Sequence, residues 1–283
     1  MTTRNDTIFG IGAGALERPV VVEAVAGLRG TNEHGASGVS SDRLIITIDG
    51  PAGTGKSTVA RSLARRLGVQ YLDTGAMYRA AAAIAIDRQI DTHDHRRFVS
   101  AVERLDLHFD FETDPPTLHC AGESIMHRLR DPDVTAIVSA VASISELRQD
   151  MVRKQRQIAM AHPFLVTEGR DQGSVVFPEA DVKFYLHASA RVRAERRASE
   201  LAARGRPSDL SRLEQEIIGR DRSDSTRTDG PLTCPADAHV IDTSDMTAEQ
   251  VVDALEAHVR RLIGARDSER SSGRLRSHRA GHA

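Results

Sequence analysis

The chain has only two cysteines in 283 residues, Cys120 and Cys234, far apart in sequence. That excludes a disulfide scaffold and a cysteine metal cage, and it makes a reducing cytoplasm the expected setting. No apolar run reaches the length needed to cross a bilayer, so no membrane partner is expected. The N-terminus shows no basic stretch followed by an apolar core, so no secretion signal is expected. Charge of one sign is not in excess: the formal net charge is −2, which gives no global argument for nucleic acid. Any basic site must come from local clustering. His93, His95, His108, His119 and His127 lack ligand spacing with the cysteines, so no metal site built from them is expected. No internal repeat is visible.

What is present suits a packed core, with 40% hydrophobic and 28% charged residues. Residues 1–42 are rich in Gly, Ala, Ser and Thr around one apolar patch, Pro19 to Val22, and read as a flexible extension. Residues 264–283 carry five Arg against two acidic residues and read as a disordered basic tail, solvated rather than bound to nucleic acid.

Between these ends strand and helix signals alternate. Leu44 to Ile48 is a nearly continuous apolar strand of the kind buried in a parallel sheet. Val59, Leu63 and Leu67 recur at helical spacing, and Gly68 ends that helix. Gln70 to Leu72 reads as a second strand, and Ala76 to Asp87 as an alanine-rich helix. Leu105, Leu107, Phe109 and Phe111 then alternate with polar residues ahead of Asp114-Pro115-Pro116, which predicts an inserted antiparallel hairpin continuing over Thr117 to Cys120. Helices are expected from Pro132 to about Ala161 with a break near Ser143 to Ser145. Phe164 to Thr167 and Val182 to Leu186 are further core strands. Helices over Arg191 to Arg204 and Ser208 to Gly219, a strand at Val240-Ile241 and a helix over Ala248 to Ile263 complete the order. This alternation predicts a three-layer α/β fold on a five-stranded parallel sheet.

Gly50, Pro51, Ala52, Gly53, Thr54, Gly55, Lys56 and Ser57 fit G-x-x-x-x-G-K-[ST], and Thr58 extends the loop. The stretch follows an apolar strand and opens a helix, as a phosphate-binding loop must. Its backbone N–H groups and the helix N-terminus attract phosphate. Lys56 is expected to reach the β- and γ-phosphates and the Ser57 hydroxyl to ligate Mg²⁺. This loop alone establishes only a nucleoside triphosphate.

No Asn-Lys-x-Asp segment that would read guanine is present. The nearest strand ending in a carboxylate, Phe164 to Glu168, runs into Gly169-Arg170-Asp171, and an arginine there points to phosphate binding rather than to water activation. Arg79, Arg148, Arg170, Arg220 and Arg227, if the fold gathers them, would neutralise the charges that phosphoryl transfer brings together.

These residues carry a family resemblance over about residues 43–263. Ile48 to Thr58, Leu72 to Arg79, Glu168 to Pro178, Arg220 to Arg227 and Ala236 to Asp242 run in the order of bacterial cytidylate kinases, a branch of the nucleoside-monophosphate kinases, which the chain resembles. The resemblance implies a P-loop core over 43–75, 162–188 and 236–263, an inserted α+β monophosphate-binding domain over about 76–161 and a helical lid over about 189–230. It implies ATP-dependent phosphorylation of CMP and dCMP with Mg²⁺, in a monomer. Lys56, Arg79 and Arg170 would be the catalytic residues. Thr74, Arg79 and Arg170 would hold the acceptor phosphate. Ser139, Arg148 and Asp171 would read the cytosine edge, with Arg227 beside them. Tyr78, Arg220 and Asp224 would lie at the sugar. The helix with Arg191, Arg193, Arg196 and Arg197 resembles the lid that closes over ATP. Glu168 stands where the family usually has Asp, Gln172 where it often has Met, and Thr74 replaces a Ser. A kinase for UMP or another small acceptor, and a non-enzymatic nucleotide- or RNA-binding protein, are the alternatives.

Overall fold

A computed structural model describes residues 43–263; the expected flexible extension and basic tail lie outside the described residues. Among the described residues eight strands and a series of helices alternate along the chain. β1 (Leu44–Asp49), β2 (Gln70–Asp73), β6 (Phe164–Glu168), β7 (Val182–His187) and β8 (His239–Asp242) form one parallel sheet in the order β2-β6-β1-β7-β8. β3 (Leu107–Asp110), β4 (Thr117–Cys120) and β5 (Glu123–Ser124) form a separate antiparallel sheet. The helices are α1 (Lys56–Leu67), α2 (Thr74–Asp87), α3 (His95–Glu103), α4 (Pro132–Val141), α5 (Ser145–Ala161), α6 (Ala190–Ala202) and α7 (Leu210–Ser225). A further helix, α8, covers 248–263. Among the described residues no helix is long and apolar enough to cross a membrane.

All six residues of β1 are buried, which is why the strand reads as a continuous apolar run. The period of two assigns its side chains to opposite faces. Leu44, Ile46 and Ile48 pack with Val59 and Leu63 of α1 and Leu255 and Val259 of α8, while Ile45 packs with Leu165, Leu72 and Ala159 of α5 on the other side. Helices therefore cover both faces. Each such buried aliphatic side chain contributes roughly 1.5–3 kcal/mol. α1 begins where the phosphate loop ends and stops at Gly68, whose left-handed backbone lets its N–H reach the carbonyls of Ala64 and Arg65.

The inserted region has its own cluster, in which Met77, Phe98, Leu118, Val134 and Leu147 pack together. The fold departs from the sequence reading in three ways. The hairpin gains a third short strand, β5, because Ala121 and Gly122 both take positive φ and reverse the chain immediately after β4. Helix α3 was not anticipated, although its Phe98, Val99 and Val102 lie on one buried face and Asp94 caps it through Arg97 N–H. α7 runs on to Ser225 rather than ending near Gly219, so Arg220 and Asp224 are helical residues one turn apart. The carboxyl ends of β1, β2 and β6 meet at Asp49, Asp73 and Glu168, and the crevice above them is where an open parallel sheet binds ligands.

Candidate active site

The loop after β1 is built by close backbone approach. Gly50 has φ 145°, and a Cβ there would lie 2.0 Å from the Leu186 carbonyl oxygen. Lys56 is 5% exposed and donates from Nζ to Pro51 O at 2.6 Å, which holds the ammonium inside the loop. Burial, then the nearby Arg170, lowers its pKa to about 7. A bound anion would reverse that shift, so the site favours phosphate oxygens.

Ser57, at the first turn of α1, donates from Oγ to Glu168 Oε1 at 2.7 Å. Glu168 also shares a hydrogen bond with the Asp73 carboxyl, and burial followed by the Glu168 charge pushes Asp73 up. A hydroxyl beside the buried Glu168 and the half-buried Asp73 carboxyls is an all-oxygen donor set that fits a hard divalent cation. Among the described residues no group of three or more His, Cys, Asp or Glu is arranged to hold a metal by itself. A cation held beside Ser57 would need the oxygens of a bound phosphate to complete its coordination shell.

Asp49, which sequence reading did not single out, organises the turn that follows β6. It is fully buried, accepts from Gln172 N–H at 2.9 Å and Gly173 N–H at 2.7 Å, and is pushed up to about 7 chiefly by burial. Gly169 N–H donates to Ile48 O at 3.1 Å. These bonds seat Arg170 and Asp171 over the strand ends, ahead of one π-helical turn, Gln172–Val176. Gln172 is held on both sides: Thr167 Oγ1 donates to its Oε1 at 2.9 Å, and its Nε2 donates to Gln155 Oε1 at 3.2 Å. An amide thus replaces an apolar side chain without leaving its polar ends unpaired.

A cleft of about 240 Å³ opens beside the loop. Ser57, Thr74, Tyr78, Arg79, Ser139, Arg148, Arg170, Asp171, Arg220, Asp224 and Arg227 all line it, although they come from α1, α2, α4, α5, α7 and the segments after β6 and α7. The lining is strongly cationic. Burial, then Arg170 and Arg79, lowers the Arg220 guanidinium to about 10, and Arg79 and Arg227 are also lowered, foremost by burial. Arg170 is instead raised: its burial is outweighed by Asp224 and Glu168. The Nε atoms of Arg220 and Arg227 are buried with no hydrogen-bond partner among the described residues. Unpaired buried donors and crowded guanidiniums together define an anion site.

The geometry refines several expected roles. Both oxygens of Asp224 are engaged, Oδ2 by Arg170 Nε at 2.9 Å and Oδ1 by Arg227, so this carboxylate positions arginines. Thr74 spends its proton on Glu168 O at 2.7 Å. Arg148 lies over the Tyr78 ring at 5.5 Å and pairs with Asp171, and all three line the cleft. Of the arginines on α6, Arg197 lines the cleft, with Glu200 as its exposed partner at 3.3 Å. Arg191 is bound by Glu195 and Glu214, Arg196 by Thr243 and Ser244, and Arg193 is buried against the phosphate loop.

A family model described as cytidylate kinase matches residues 46–261. A cytidylate kinase from Corynebacterium glutamicum is 43% identical over 81% of this chain and 97% of its own. One from Mycolicibacterium paratuberculosis is 43% identical over 78% of this chain and 97% of its own. One from Pelotomaculum thermopropionicum is 45% identical over 76% of this chain and 95% of its own.

Proposed function

The chain belongs to the cytidylate kinase family, and from that premise we propose that it transfers the γ-phosphoryl group of ATP to the phosphate of CMP or dCMP. It is a phosphotransferase acting on nucleotides. The observation that carries the specific reading is one cleft, lined by Ser57 at the end of the phosphate loop, that collects Arg79, Arg170, Arg220 and Arg227 together with the Arg148–Asp171 pair. Two polyanions must be brought together in this reaction, and the guanidiniums supply the countercharge.

The loop backbone and Lys56 hold the donor phosphates. Arg79 and Arg170 grip the acceptor phosphate, with Thr74 at the floor and Arg220 bridging toward the donor. Asp171 accepts a hydrogen bond from the exocyclic amine of cytosine, where uracil would present a carbonyl against the carboxylate. Ser139 and Arg148 complete the base edge, and Tyr78 supports Arg148. Arg197 closes from the lid onto the transferring group. Ser57 with the neighbouring Glu168 would hold Mg²⁺, which supplies charge neutralisation on the phosphate oxygens. No side chain is placed as a nucleophile; the residues position and neutralise. The domain division follows the same reading, with a core over 43–75, 162–188 and 236–263, an acceptor insertion over about 76–161 and a lid over about 189–230.

The test is a panel of CMP, dCMP, UMP and AMP with ATP. CMP and dCMP are expected to be the preferred acceptors. Phosphorylation of AMP without phosphorylation of CMP overturns the acceptor assignment.

A further inference from the structure

We propose that Arg193 is a positioning residue that couples occupancy of the phosphate loop to the geometry of the acceptor cleft. The inference rests on the reading of the loop as the ATP site and of the cleft as the CMP site.

Arg193 lies on α6 with its side chain 5% exposed, and its guanidinium is the meeting point of three segments. Nε donates to Ala188 O at 2.9 Å, at the base of the lid helix. Nη1 donates to Ala52 O at 3.0 Å, inside the phosphate loop. Nη1 and Nη2 together grip both oxygens of Asp221 on α7, at 3.1 and 2.6 Å. The loop and the helix are in van der Waals range here: a Cβ on Gly53 would lie 3.2 Å from Arg193 Cβ.

Each contact has a consequence on a different side. The Ala52 carbonyl and the Gly53 N–H belong to one planar trans peptide, in which the two bonds point in opposite directions. By fixing the carbonyl, Arg193 fixes the direction of a loop N–H. Asp221 follows Arg220 directly and precedes Asp224 by three residues on α7. Arg220 lines the acceptor cleft, and Asp224 holds Arg170 and Arg227. A shift of the Ala52 peptide as the loop wraps a phosphate is therefore passed through one planar, bidentate group to the helix that sets the acceptor arginines. Arginine suits this because its fork binds a carboxylate and a carbonyl simultaneously in fixed geometry; lysine is a point charge that cannot.

Coupling between two ligand sites is reciprocal and is measured directly. CMP binding to the full-length protein is titrated by calorimetry with and without a saturating non-hydrolysable ATP analogue and Mg²⁺, for wild type, Arg193→Lys and Asp221→Asn. In wild type the analogue is expected to tighten CMP by about 5-fold or more, the lower end of ordinary coupling. In both variants that factor is expected to fall close to 1. CMP affinity without the analogue is expected to stay within about 3-fold of wild type, and the double variant is expected to match the single ones because both break one linkage. Asp221→Asn keeps the side-chain shape, so it carries the test if Arg193→Lys does not fold. A wild-type factor near 1 overturns the proposal. So does a factor retained in a folded variant, or a loss of CMP binding that is equal with and without the analogue, which marks Arg193 as merely structural. Failure of wild type to bind CMP at all would instead remove the acceptor reading, and this inference with it.

Discussion

Arg148 and Asp171 form an ion pair in which each side chain is 5% exposed, joined from Nη2 to Oδ2. A buried pair is a poor source of net stability, but breaking it on one side is costly. Asp171→Ala is therefore expected to lower folding stability by on the order of 3–5 kcal/mol, because Arg148 is left buried without its partner. Urea unfolding checks this. Asp171→Asn is the cleaner probe of base reading: its amide keeps the shape and can either accept from cytosine or donate to uracil. The ratio of kcat/KM for CMP over UMP is expected to fall by about 10-fold or more in this variant. Equal losses for both acceptors argue against a base-reading role.

Arg220 is expected to cost the free protein stability and to favour a bound anion. Its guanidinium is pushed down to about 10, chiefly by burial and then by Arg170 and Arg79, and its Nε has no partner among the described residues. Arg220→Met is expected to raise the melting temperature of the free protein by a few degrees, a gain of about 1 kcal/mol. It is expected to raise KM for CMP by about 10²-fold, equivalent to two charge-assisted hydrogen bonds. A melting temperature that falls, with KM unchanged, would contradict this assignment.

Titration of Lys56 and Asp49 gives a pH prediction with a definite sign. Lys56 is lowered from 10.5 to about 7 in the folded state. Between pH 7 and 10.5 the unfolded chain holds this proton and the folded chain does not, so this group makes stability rise with pH there. Asp49 is raised from 3.8 to about 7. Between pH 4 and 7 the folded chain holds the extra proton, so this group makes stability fall as pH rises. Lys56→Met is expected to flatten the alkaline limb and leave the acid limb in place, as read by denaturant midpoints across pH. In the wild type, binding of a nucleotide triphosphate at pH 8 is expected to take up protons as the phosphates restore the Lys56 charge. Calorimetry in buffers of different ionisation enthalpy measures that uptake, and release of protons would contradict it.

Lys56→Ala and Arg197→Ala separate loop from lid. Both are expected to lower kcat by about 10²-fold or more, since in the proposed reaction each would donate to the transferring group. Lys56→Ala is expected to weaken ATP binding as well. Arg197→Ala is expected to leave CMP affinity in the absence of ATP unchanged, because its 42% exposed side chain pairs, among the described residues, only with Glu200. Single-turnover kinetics and binary CMP titration distinguish the two.

Gly50 to Thr58 was legible in the sequence because a phosphate loop is a local object: glycines at fixed spacing, a preceding strand and a following helix determine its geometry together. The same holds for the core strands, whose apolar runs are set by burial on both faces, and for α1 with Val59, Leu63 and Leu67 on its buried side. Resemblance named the acceptor residues, and the structure gathers them into one cleft. Three features escaped: α3, whose apolar residues are few; β5, which depends on two positive-φ residues; and Asp49, a carboxylate next to a motif that drew the eye elsewhere.

What only the tertiary structure decided is how each charged group is used. Arg148 meets Asp171 across a separation of 23 residues, Arg170 meets Asp224 across 54, and Arg193 meets Ala52 across 141. Spacing carries no signal at those distances, so the sequence presented Arg191, Arg193, Arg196 and Arg197 as equivalent on one helix. Packing separated them into a cleft residue, a buried clasp and two residues bound at the periphery. The chemistry of the site is thus written in residue types that the sequence displays, while burial and long-range pairing determine which of those charges remain free to meet a substrate.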